Sequence, residues 1–386
     1  MALSVTIEPR HNPGAGPGLV DQKNNSPGHQ SIRIASLSVV ESEKAFRWIG
    51  EGLIILMAFT NILHQIGVEP VSGETDTFRS LAVPVRLANA APIAYGGNTQ
   101  ALCVHSAYKT ITKKGFHIYS VLGAFHGPTR VDRPVICRVT RTRDTKTFVT
   151  RRVVASQLTD DGKERPCMEM FVDFHVLEPE MYRYNAAPSR SYGIGPEDPF
   201  TTMKTSEVAE RLLNEGEITK AQFEHHKNMF AVTDSFYETR QCLDGVSGRN
   251  LMGLAKRVKT PQDHLPIHER TSAEWFKLKQ PVTNEAENAA ILAFIMDGAL
   301  SFLPLNLDKK GLDDAGACST LDFALRIMQP DFELHRWHLR ERRTIAAAVG
   351  RSYSESRVWD EQGDLICVES QSCIIRPPPQ QQKAKM

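Results

Sequence analysis

Apolar residues run almost unbroken through 289–307 (AAILAFIMDGALSFLPLNL), and Asp297 is the one charged residue in that stretch. A run that is apolar on nearly every face predicts a buried helix over 289–305, wrapped by the sheet that follows it. After a Gly/Asp-rich loop come strand-like runs at 318–327, 337–348, 350–359 and 365–375. The last two are joined by the turn Asp360-Glu361-Gln362-Gly363, whose acidic and glycine residues suit a hairpin. The same order occurs earlier in the chain. Tyr95-Gly96-Gly97 opens a helix over 100–111, and strand-like runs follow at 135–142, 147–157 and 168–176, the last two joined by Asp160-Asp161-Gly162-Lys163. Each half reads as one long helix followed by an antiparallel meander, which predicts an α+β fold built by tandem duplication.

Residues 178–283 join the halves. They predict two short helices, at 205–214 and 220–229, within an irregular stretch carrying Pro261, Pro266 and Pro281. A structureless loop of that length is unusual, so part of it is expected to pack on the halves. Residues 1–30 are rich in Gly, Pro and Asn, the composition of a loosely attached segment. Residues 52–68 (GLIILMAFTNILHQIGV) bear no formal charge but include Asn61, His64 and Gln65. They are short for a membrane span and read as a buried or amphipathic helix. The expected division is an N-terminal extension over 1–85, a first domain over 86–180, a linker or insert over 181–275, a second domain over 276–376, and a tail over 377–386.

With 41% hydrophobic residues and a formal net charge of +1, the chain builds real cores and presents no global field for nucleic acid or an anionic membrane. Its seven cysteines are scattered, without a CxxC pair or zinc spacing. That argues for a reducing compartment and against a disulfide framework or a structural metal. Glu8, Pro9 and Pro13 stand where a signal peptide needs an apolar run, which argues against secretion. The last three residues, Ala384-Lys385-Met386, follow a polar, Pro-rich tail. Small, basic and terminal Leu or Met is the pattern of a type-1 peroxisomal address, so a peroxisomal location and an import receptor as partner are expected.

Chemistry concentrates in the second half. A buried carboxylate such as Asp297 is costly unless hydrogen-bonded or used. The bland alternative is that Asp297-Gly298 kinks the run into two helices with an exposed joint. Thr320 lies in Cys318-Ser319-Thr320-Leu321-Asp322 at the start of a strand, and Gln371 in Val368-Glu369-Ser370-Gln371-Ser372 in the last one. Glu369, Gln371 and Cys373 alternate onto one face, with Val368, Ser370, Ser372 and Ile374 on the other. The sequence does not say which face is inside.

Asp297, Phe302-Leu303-Pro304, Ser319-Thr320-Leu321-Asp322, and Gln371 before Arg376 follow one another in an order and spacing that resembles the catalytic half of the acyl-CoA thioesterase II family. In the first half, Tyr95-Gly96-Gly97 with Gln100-Ala101-Leu102, and Phe148 through Arg151-Arg152-Val153 to Gln157, resemble the same family. The likeness covers roughly 90–180 and 265–376. It implies a double hotdog fold, each half a long central helix wrapped by an antiparallel sheet. It also implies an acyl-CoA thioesterase that needs no cofactor, with Asp297, Thr320 and Gln371 as catalytic residues. Gly96, Gly97 and Asp322 would lie at the substrate, and the CoA phosphates would fall to arginines among Arg141, Arg143, Arg151, Arg152, Arg340, Arg342 and Arg343. A hotdog sheet also leaves room for homo-oligomers. Three neighbours depart from the family pattern: Asn98 after Gly-Gly, Phe323 after Asp322, and Ser372-Cys373 after Gln371. These departures keep two alternatives in view, a hotdog enoyl-CoA hydratase or dehydratase and a non-catalytic acyl-CoA-binding protein. No His follows Asp297 at the spacing a hydratase would be expected to show.

Overall fold

The computed structural model describes residues 61–87 and 92–378. Helix α1 (Ile62–Ile66) and the short strands β1 (Val68–Pro70) and β2 (Thr77–Ser80) precede helix α2 (Gly96–Lys109). Strands β3 (Phe116–Phe125), β4 (Ile136–Asp144), β5 (Phe148–Leu158) and β6 (Glu164–Val176) follow. The joining region forms β7 (Thr202–Lys204), α3 (Thr205–Asn214), α4 (Lys220–Phe236), β8 (Tyr237–Cys242) and α5 (Val246–Asn250). The second half contains β9 (Thr271–Leu278), α6 (Glu285–Met296), a 3-10 turn (Leu300–Phe302) and α7 (Leu303–Leu307). It ends with β10 (Ala317–Ile327), β11 (His338–Ala348), β12 (Arg351–Asp360) and β13 (Leu365–Arg376).

These strands form one sheet in the order β1-β2-β4-β5-β6-β3-β10-β13-β12-β11-β9-β8-β7. The run β2-β4-β5-β6-β3 and the run β9-β11-β12-β13-β10 have the same connectivity, and they meet at the antiparallel pair β3–β10, where Ala124 faces Asp322 and Ser120 faces Arg326. Close approach at this seam depends on Gly123. A Cβ there would lie 2.5 Å from the Phe323 ring.

Helices α2 and α6 pack against each other. Residues 289–296 of α6 are all buried, and α2 buries 97–107. The segment Glu285–Leu307 is long and apolar enough to cross a membrane by composition, yet 67% of its most apolar 18-residue stretch is buried inside the protein. Its sequence predicted one helix to Leu305, but α6 stops at Met296. Asp297 caps it, and Ala299 takes a left-handed conformation (φ 74°) before the chain turns into α7. The kink named as the alternative is therefore present, but the joint is buried at Asp297 rather than exposed.

Two further differences concern strands. Phe116–Phe125 is a full strand that the alternation did not reveal, because a bulge between Ile118 and Ser120 turns both Ser120 and Val121 inward. The joining region is also more ordered than its composition predicts, since β7, β8 and the first part of β9 extend the sheet. Of the apolar segment 52–68, the described part begins with α1, which buries Ile62, Gln65 and Ile66. Residues 52–60 and the tail residues Ala384, Lys385 and Met386 lie outside the described residues.

Candidate active site

The break after α6 aims the Asp297 carboxylate at the first turn of α2. Its Oδ2 accepts from the Gly97 backbone N–H at 2.8 Å, and its Oδ1 accepts from Gln100 Nε2 at 3.1 Å and Gln371 Nε2 at 2.9 Å. Gly97 makes this approach possible, because a Cβ there would lie 2.4 Å from the Phe294 carbonyl oxygen. A Cβ at Gly96 would lie 2.9 Å from both Asp297 Oδ2 and the Phe125 ring. The positive end of α2 thus faces a carboxylate, an arrangement helix dipoles favour.

Gln371 comes from β13 and Thr320 from the neighbouring β10. Thr320 Oγ1 donates to Gln371 Oε1 at 3.0 Å, which leaves the Gln371 amide nitrogen pointing at Asp297. The same nitrogen donates to Glu369 Oε1 at 2.7 Å. One side chain is therefore oriented by three others, and flipping its amide would turn the oxygen onto the Asp297 carboxylate and lose that bond. The structure answers the question of faces left open by the sequence. Glu369, Gln371 and Cys373 are buried, whereas Val368, Ser370, Ser372 and Ile374 are half-buried on the opposite side.

Burial pushes the Asp297 carboxyl up to about 6, against the pull of its bonds from Gln371 and Gly97. Burial, and then the charge of Asp297, pushes Glu369 up to about 8. Of the two carboxyls, Asp297 is therefore the one that ionises more readily, and its charge in turn disfavours ionisation of Glu369. Tyr95 closes the opposite side. Its hydroxyl donates to the Phe294 carbonyl at 2.7 Å, and burial followed by the Asp297 charge raises its pKa well above the ordinary value. Gly96, Phe125, Gly298, Ala299 and Thr320 are half-buried.

Asp297, Thr320, Gln371, Gly96 and Gly97 are thus brought together. Asp322 is not. It is exposed on β10, past a bulge that separates it from Thr320, and its side chain lies outside the cluster. The departures at Asn98 and Phe323 border the site. Asn98 Nδ2 donates to the Gln65 carbonyl at 3.1 Å, tying α2 to α1, and Phe323 packs on Phe125 at 5.8 Å between ring centres.

All seven arginines considered for phosphate binding already face a carboxylate: Arg141 with Asp76, Arg143 with Asp173, Arg151 with Asp144, Arg152 with Glu169, Arg343 with Glu355, and both Arg340 and Arg342 with Glu274. The last trio is fully buried. Burial pushes Glu274 up, but the charges of Arg342 and Arg340 outweigh it and hold Glu274 at about 2. Arg340 also donates to the Ile295 carbonyl near the end of α6, so it braces the turn that presents Asp297.

Sequence reasoning named Tyr95 and Gln100 only within the first-half motif and Arg340 only as a candidate for the CoA phosphates. Glu369 left a signal in its alternation with Gln371. The pairing of Arg340 with Glu274 left none, since 66 residues separate them. Two surface cavities, of about 380 Å3 beside Arg190 and Gln262 and about 300 Å3 beside Lys277 and His335, lie away from this cluster. Among the described residues, no group of three or more His, Cys, Asp or Glu side chains is placed to hold a metal ion.

Comparison with known proteins connects this geometry to a family. Residues 83–175 match the acyl-CoA thioesterase N-terminal domain, and residues 232–375 match the acyl-CoA thioesterase C-terminal domain. No curated protein sequence matches the chain. Among solved structures, an acyl-CoA thioesterase II from Mycobacterium marinum is similar over 83% of this chain and 100% of its own, at 19% identity and a TM-score of 0.56. A tesB protein from Mycobacterium avium subsp. paratuberculosis covers the same shares at 18% identity and a TM-score of 0.57. A protein of unknown function with a hotdog fold from Alicyclobacillus acidocaldarius matches 83% of this chain and 98% of its own, at 14% identity and a TM-score of 0.57. These likenesses identify the fold as hotdog. The two family domains lie in order along the chain and together span more than half of it, and the chain belongs to the acyl-CoA thioesterase family.

Proposed function

We propose that this protein is a tandem, double hotdog thioesterase that hydrolyses an acyl-CoA thioester to the free acid and CoA, with its second half supplying the reacting groups. The observation that carries this reading is the cluster around Asp297. It is a buried carboxylate with its basicity raised to about 6, held by Gly97 and by a Gln371 that Thr320 orients. A carboxylate of that basicity is well matched to taking a proton from water near neutral pH. Water held between Asp297, Gln371 and Thr320 loses a proton to Asp297 as its oxygen attacks the thioester carbonyl. The C–S bond then breaks, and the departing CoA thiolate takes up a proton. The start of α2 supplies N–H groups for the oxyanion, with the Gly97 N–H exchanging its bond to Asp297 for one to the substrate.

The test is thiol release from short, medium, long, branched and unsaturated acyl-CoAs by the purified chain. Release from at least one ester is expected, and folded protein that hydrolyses none would refute the reading. We further propose that Ala384-Lys385-Met386 directs the protein to peroxisomes through an import receptor. A fluorescent protein fused to the N-terminus should give peroxisomal puncta that disperse when the last three residues are deleted. A diffuse signal from the intact fusion would contradict this.

A further inference from the structure

Paired positions in an antiparallel sheet share a face, with Cβ atoms about 4.5–5.5 Å apart. On the inner face beside the site, Ser356 of β12 stands opposite Arg342 of β11 on one side and Glu369 of β13 on the other. All three are at least 97% buried, and each carries an atom with no partner: Arg342 Nε, Ser356 Oγ and Glu369 Oε2. Ser352, further along β12 and 4% exposed, adds a fourth in its Oγ. A buried polar group left unpaired costs about 1–3 kcal/mol. Four in one patch of sheet ask for an occupant.

The protein's own cover leaves these atoms unpaired. The turn Leu300–Phe302 lies over β12 and β13, and α7 over β11 and β12, with Leu300, Leu303 and Leu307 buried. The patch also adjoins the reacting centre. Glu369 lies two residues from Gln371 on the same strand, about 7 Å along it, and Arg342 lies two strands across from Glu369, about 10 Å from it. Three of the free atoms can only or can readily donate, and Glu369 adds a fourth donor when protonated.

We infer that this face of β11, β12 and β13 receives the acyl chain and selects one carrying a hydrogen-bond-accepting oxygen several bonds from the thioester, such as a distal hydroxyl, carbonyl or carboxylate. The inference rests on the thioesterase reading above and names its substrate class. A site built to hydrogen-bond an oxygen rejects the analogue that lacks it, because its buried donors are left unpaired.

The test compares octanoyl-CoA with two counterparts of equal length, 8-hydroxyoctanoyl-CoA and suberyl-CoA, using the parent and the Ser356→Val and Ser352→Val variants. The parent should favour at least one oxygenated ester by about tenfold or more in kcat/KM, and at least one variant should bring that ratio close to one. Equal or better hydrolysis of octanoyl-CoA by the parent overturns the inference while leaving the thioesterase reading standing, and would assign the free atoms to buried water. A preference unchanged in both variants overturns the assignment to this face. If no ester is hydrolysed, the thioesterase reading fails separately. Binding of the matching non-hydrolysable thioethers then decides the inference by the same ratio. Melting temperatures of both variants guard against loss of the fold.

Discussion

The two halves share a connectivity and differ in where they place polarity. In the first half the inner face of β6 is Met168, Met170, Val172 and Phe174, and Val149, Val153 and Ala155 lie beside it on β5, with the buried Arg151 between them paired to Asp144. At the corresponding strands of the second half stand Glu369, Gln371 and Cys373 on β13 and Ser352, Ser354 and Ser356 on β12. The helices reverse this pattern. Helix α6 buries only apolar residues over 289–296, whereas α2 buries Asn98, Thr99, Gln100, His105 and Ser106. The candidate site forms where the polar start of one half's helix meets the polar sheet of the other. One half's sheet can thus line a mainly apolar, stabilising core while the other's carries groups that such a core would not tolerate. Neither half alone holds Asp297, because its three donors come from α2 and β13 together.

This division of labour can be broken in graded ways. Phe174→Ala removes a fully buried ring that meets Tyr108 edge-on at 4.8 Å, and should cost about 3–5 kcal/mol in denaturant unfolding. Hydrolysis per folded molecule should persist. A strong fall in the rate of the folded fraction would show that the first half does more than support. Gln371→Ala should do the reverse. Asp297 and Thr320 lose their common partner, and kcat should fall about a hundredfold while the melting temperature changes little. Thr320→Val removes the donor that orients Gln371 and one of the groups proposed to hold the water, while Asp297 and Gln371 remain, so a loss of about tenfold is expected in steady-state rates.

The pH profile follows from Asp297 acting in its ionised form. With its carboxyl near 6, kcat should rise through pH 6 and stand about tenfold below its plateau at pH 5. The smallest effect is expected from Glu369→Gln. Glu369 is pushed up to about 8 and is already neutral on that limb, so the limb should stay near pH 6. A clear move of the limb to lower pH would mean that Glu369 is charged beside Asp297 in the working enzyme, because removing a like charge makes Asp297 easier to ionise.

Much of the second half was legible because its periodicities are clean. The apolar helix, the strands after it and the Asp360–Gly363 turn all follow from local pattern. β8 was not, since Tyr-Glu-Thr-Arg-Gln-Cys reads as a loop and becomes a strand only by pairing with β9. The inner face of β13 was ambiguous for a more telling reason. Hydrophobicity alone would turn Val368 and Ile374 inward, and the fold instead buries Glu369, Gln371 and Cys373. Such a conflict between local preference and tertiary placement is where functional sites are expected. The Glu274–Arg340–Arg342 cluster was invisible because its members meet only across β9 and β11.

The most direct test of the central claim is hydrolysis by Asp297→Asn beside the parent, with acyl-CoA affinity measured on the same preparations. If Asp297 is the base, kcat should fall by about 10²–10⁴-fold while the folded variant still binds the ester with affinity close to the parent's. A folded, ester-binding Asp297→Asn protein that turns over at the parental rate would contradict the account and leave Asp297 a structural cap between α6 and α2.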